Sequence, residues 1–75
     1  MCLAIPGKVI LTTEHTAEVD LMGNRRKVNI DLVADEVKPG DYLLIHAGYA
    51  IEKVDEEIAL ETLALFEEAL EKSDY

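Results

Sequence analysis

The chain has 75 residues, 49% hydrophobic and 31% charged, with a formal net charge of −9 and a sequence pI near 4.4. That length supports one small folded domain, and the composition is globular rather than disordered. The acidic excess disfavours nucleic acids and anionic membranes as partners, because neutralising phosphate requires a basic surface.

Residues 1–7 read as an N-terminal arm, with Pro6-Gly7 turning the chain into the first strand. Lys8–Thr13 is rich in β-branched residues and predicts that strand. Ala17, Val19 and Leu21 alternate with Glu18 and Asp20, the period of a half-buried strand. Met22-Gly23-Asn24 predicts the following turn. Val28, Ile30 and Leu32 then alternate with Lys27, Asn29 and Asp31 as the second arm of a hairpin. Val37-Lys38-Pro39-Gly40-Asp41 predicts a turn in which Pro presets φ and Gly follows it. Tyr42–His46 is a continuous apolar strand, Gly48 marks a bulge or tight bend, and Ala50–Val54 makes a last short strand. About five short strands at hairpin spacing imply a small closed barrel, since closure removes exposed edges.

A helix over 55–72 follows. Asp55 is placed to cap it, and Glu56 and Glu57 complement its positive N-terminal dipole. Ala59, Leu63, Phe66 and Leu70 share one face, predicted to pack on the barrel or on a partner. Residues 55–75 carry a net charge of −7 and residues 1–54 only −2. The one basic cluster is Arg25, Arg26 and Lys27. The expected organisation is a single domain over 1–75, divided into an arm (1–7), a mainly β barrel (8–54) and a C-terminal amphipathic helix (55–72).

Cys2 is the only cysteine, which excludes an internal disulfide. Removal of Met1, which small second residues permit, would leave Cys2 with a thiol and a free α-amine on adjacent carbons. Together these can chelate a metal, and a nearby ammonium favours the reactive thiolate. Thiolate suits soft or borderline metals, including low-spin iron. The alternative is that Cys2 is a small hydrophobe beginning a strand. His46 is the second candidate, either a metal ligand or a hydrogen-bonded structural residue. His15 lies in a polar turn and reads as surface. No second cysteine or paired histidine spacing completes a closed metal site, no phosphate-binding glycine motif occurs, and the only serine is Ser73 in the tail. No signal segment is recognisable and no apolar run approaches the roughly 20 residues of a membrane span, so a cytoplasmic location is expected.

Two stretches carry a resemblance. MCLAIPGKV at the start and GDYLLIHAGYAI over 40–51 resemble the HypC/HupF family of [NiFe]-hydrogenase maturation chaperones. Arg26–Val33 and the helix opening DEEIALETL also look like family features. The resemblance implies an OB-like β-barrel with a C-terminal helix, and a chaperone rather than an enzyme. It implies two partners: the iron–sulfur scaffold protein HypD, and the precursor of the hydrogenase large subunit. No cofactor would be held permanently; the cargo would be a transient iron bearing cyanide and carbon monoxide. The family's N-terminal cysteine maps onto Cys2, as iron ligand and partner contact, and its histidine onto His46, as a further iron-site residue. Pro6 and Gly7 would aim the arm at the partner. The alternative function is an adaptor that bridges the two partners without carrying iron.

Overall fold

The computed structural model describes residues 4–72, with side chains through residue 69. Five strands, β1 (Ile5–Thr12), β2 (Thr16–Leu21), β3 (Asn24–Asn29), β4 (Tyr42–His46) and β5 (Tyr49–Val54), precede one helix, α1 (Glu56–Lys72). The strands close a barrel in the order β1-β2-β3-β5-β4. All neighbouring pairs are antiparallel except β3 and β5, which meet in parallel at Asn29 and Tyr49. This five-stranded closure is the OB-like architecture.

Two tight hairpins set the registers. Leu21 pairs with Asn24 across Met22 and Gly23, whose φ values are 53° and 95°. His46 pairs with Tyr49 across Ala47 and Gly48, at 53° and 84°. Two consecutive left-handed residues match the twist of the flanking strands, which is why glycine follows in both turns. In the connection from β3 to β4, the Asp41 amide donates to the Lys38 carbonyl at 3.0 Å, and Gly40 has φ 95°. This is the type II turn expected of Lys38-Pro39-Gly40-Asp41. The Asp41 side chain accepts from the Lys38 amide at 2.8 Å, and the Val9 amide donates to the Asp41 carbonyl at 2.8 Å, so the turn is fastened to β1.

The core is aliphatic. Val9, Ala17, Val19, Val28, Leu43, Ile45 and Ala50 form one buried cluster, with Leu21, Ile30, Val33 and Val37 packed against it. Full burial of each branched side chain is worth about 1.5–3 kcal/mol. Alternation in β2 puts Ala17 and Val19 inside, as their spacing predicts.

Three expectations are corrected. The first strand begins at Ile5, not Lys8, and Pro6-Gly7 is no turn: Pro6 pairs with Leu44 and Gly7 with Leu43, both buried. The β1–β2 ladder begins only at Lys8, so Pro6 occupies a local edge where a missing N–H is tolerated. The second hairpin arm ends at Asn29, and Leu32 lies outside it, 64% exposed. The Ile30 amide still donates in register to the His15 carbonyl at 3.0 Å, but a turn at 31–32, closed by the Val33 amide on the Ile30 carbonyl at 3.1 Å, then ends the alternation.

The third correction concerns α1. Its predicted face does turn inward at Ala59, which is fully buried, but Leu63 and Phe66 are only half-buried. Its main strand contact is β1. A helix of 17 residues is about 26 Å long, and the molecule measures 41 × 22 × 19 Å. Only the first turns of α1 therefore seat on the barrel, and Ile58, Leu60 and Leu65 remain exposed. No helix among the described residues is long and apolar enough to cross a membrane.

Candidate functional site

The antiparallel pairing of β1 with β4 decides where the candidate residues meet. Ile5 pairs with Ile45, so the start of β1 adjoins the end of β4 that bears His46. Cys2 lies outside the described residues; three peptide units separate it from Ile5, a span of at most about 11 Å. His46 is half-buried, and its ring has no hydrogen-bond partner among the described residues. The structural reading of His46, which needs such a partner, gains nothing from its surroundings. Among the described residues no group of three His, Cys, Asp or Glu side chains could hold a metal ion.

Pro6 and Gly7 lie just inside this end. The Pro6 side chain is fully buried. A Cβ added to Gly7 would stand 2.9 Å from Leu21 Cδ2 and 3.3 Å from Val19 Cβ. Glycine is needed here for close strand approach, not for a left-handed backbone. The pair anchors the first strand immediately after the arm.

At the same end the barrel opens into a cavity of about 300 Å³, lined by Ile5, Leu21, Arg26, Lys27, Val28, Ile45, Ala47 and Gly48. Its floor is aliphatic and its rim includes two cations. Arg26 faces Val19 across the β2–β3 hairpin, and Val19 is fully buried. Residues directly opposite in an antiparallel pair share a face, so Arg26 springs from the interior side of the sheet, at its open end. Arg25 is occupied, its Nη1 3.4 Å from Glu18 Oε1, and at the far end of the barrel Lys53 Nζ lies 3.3 Å from Asp41 Oδ2. Arg26 and Lys27 have no such partner among the described residues. The basic cluster at 25–27 is visible in the sequence, but its division into one paired and two unpaired cations depends on strand register.

His15 plays no part at this end. Its Nδ1–H donates to Asp31 Oδ1 at 2.9 Å on the exposed surface. That hydrogen bond, more than the weaker one from Asn29, holds the Asp31 carboxyl below the usual aspartate range.

Comparison with known proteins agrees with the fold and the motifs. The HupF/HypC family model matches residues 1–66. A hydrogenase maturation factor HypC of Helicobacter hepaticus is 44% identical over 72 residues, covering 95% of this chain and 84% of that protein. A hydrogenase maturation factor HypC of Cupriavidus necator is 48% identical over 69 residues, covering 91% and 76%. The hydrogenase maturation factor HybG of Escherichia coli K12 is 38% identical over 82 aligned residues, covering 100% and 94%. With a family match over residues 1–66 and relatives this similar across most of their own length, the chain belongs to the HupF/HypC family.

Proposed function

We propose that the chain is a hydrogenase maturation chaperone, not an enzyme, that carries iron between two protein partners. In this reading Cys2 is the iron ligand, the iron bears cyanide and carbon monoxide, and the partners are a HypD-type scaffold and the large-subunit precursor. The observation that carries it is membership of the HupF/HypC family together with an N-terminal cysteine. The poverty of further ligands among the described residues suits a carrier. A site closed by four protein ligands would hold iron too firmly to release it. One thiolate, with the other positions filled by the cargo's own ligands and by a partner, can be exchanged for a thiolate of the receiving protein. His46 stands at the end of β4 beside the start of β1, within reach of a group tethered to the arm. Pro6 and Gly7, both buried, would serve partner binding by fixing the arm's origin rather than by contact. A cytoplasmic location belongs to the same proposal.

The test is anaerobic co-expression with the scaffold, separation of the two proteins, and infrared spectroscopy of each. Cyanide and carbon monoxide bands that stay with this chain, and vanish in Cys2→Ala, are expected. Bands found on the scaffold alone would leave an adaptor that bridges the partners without carrying iron.

A further inference from the structure

We propose that the cavity at the barrel mouth is an anion pocket for the cyanide face of the cargo, with Arg26 as its counter-charge; this rests on the carrier reading above. Among the described residues Arg26, like Lys8, Lys27 and Lys38, has no carboxylate partner. Its side chain is exposed, and the register opposite Val19 places it on the interior side of the sheet at the open rim, above the apolar walls of Ile5, Leu21, Val28 and Ile45. Those walls select among anions. Sulfate or phosphate would lose strong hydration against them, and Arg26 and Lys27 at the open rim restore only part of it. Metal-bound cyanide is different: its charge is spread, its nitrogen tip accepts hydrogen bonds, and carbon monoxide beside it needs no polar partner. The guanidinium offers five donors in a fixed fork, suited to such acceptors. A volume of about 300 Å³ admits a small complex but not a folded peptide segment. The tether is also short enough, since Ile5 is itself part of the wall.

Two measurements on the full chain test this. The first is a titration of the isotope-labelled protein with thiocyanate, a weakly hydrated anion with a cyanide-like nitrogen, with sulfate in parallel. Saturable shifts of the Val28, Ile45 and Gly48 amides with thiocyanate only, lost in Arg26→Gln, are expected; equal response to sulfate, or shifts that survive in Arg26→Gln, overturn the proposal. The second is infrared spectroscopy of iron-loaded chain. A hydrogen bond at cyanide nitrogen raises its stretching frequency, so Arg26→Gln should lower a cyanide band more than the carbonyl band, while Lys38→Gln, whose backbone sits in the distant turn, should move neither. Bands superimposable between wild type and Arg26→Gln overturn this inference and leave the carrier reading intact. Absence of cyanide bands from the wild-type chain overturns both.

Discussion

Gly7→Ala is the substitution that most directly tests how the barrel end is built. The new Cβ would stand 2.9 Å from Leu21 Cδ2 and 3.3 Å from Val19 Cβ. The two neighbours differ in freedom. Leu21 is half-buried and the contact is with the tip of its side chain, so a rotamer change can relieve it. Val19 is fully buried and its Cβ is fixed by pairing of β2 with both β1 and β3. Overpacking of this kind costs about 1–3 kcal/mol. Against it stands the gain from restricting the unfolded chain, about 0.4–1 kcal/mol for Gly to Ala at a compatible backbone. The clash wins, leaving a net loss of roughly 0.5–2 kcal/mol. For a domain of this size that lowers Tm by roughly 2–16 °C. Thermal unfolding followed by circular dichroism measures it, and urea denaturation gives the free energy. Leu21→Val should recover part of the loss in the double variant, because it removes the atom that the new methyl meets first. A Gly7→Ala protein as stable as wild type, or more stable, would refute the close-approach argument.

Other predictions follow from the same structure. Met22 sits at φ 53° in a tight turn, so Met22→Asn should stabilise by about 0.5–1 kcal/mol, read as a raised urea midpoint. Leu43→Ala, at a position fully buried in the core, should cost about 2–5 kcal/mol. Leu65→Ala, 66% exposed on α1, should stay near 0.5 kcal/mol, and a cost like that of Leu43→Ala would mean that α1 packs along its length. The Asp31 carboxyl is lowered in the folded state by its hydrogen bond from His15. Its contribution to stability is therefore complete above the usual aspartate range and is lost as pH falls through the lowered value, below about pH 4. Carbon-detected titration should show the Asp31 midpoint rising in His15→Ala, and an unchanged midpoint would contradict the hydrogen bond as cause.

Much of this molecule is legible in local signals, and the exceptions have a common origin. Met22-Gly23 and Lys38-Pro39-Gly40-Asp41 are turns because neighbouring residues alone dictate their dihedrals. Ala17 and Val19 are inside because alternation is a local property of a strand. Pro6-Gly7 has the same local signature as a turn, yet it is a strand, since pairing with Leu43 and Leu44 and close approach to Val19 outweigh it. The apolar face of α1 is equally legible, but whether a face finds a partner depends on how much barrel surface remains, and a barrel this small covers only the first turns.

The sequence by itself determined the aliphatic core, the turn positions, the acidic helix, the lone thiol at Cys2 and the basic cluster at 25–27. Each is set by residue type or by spacing within a few residues. Tertiary structure alone decided that the start of β1 lies beside His46, that Arg26 faces the barrel mouth while Arg25 is paired outside, and that Ile5, Val28 and Ile45 close around one cavity. Those outcomes depend on the registers of several strands at once, and a one-residue slip of β3 against β2 would turn Arg26 to the other face.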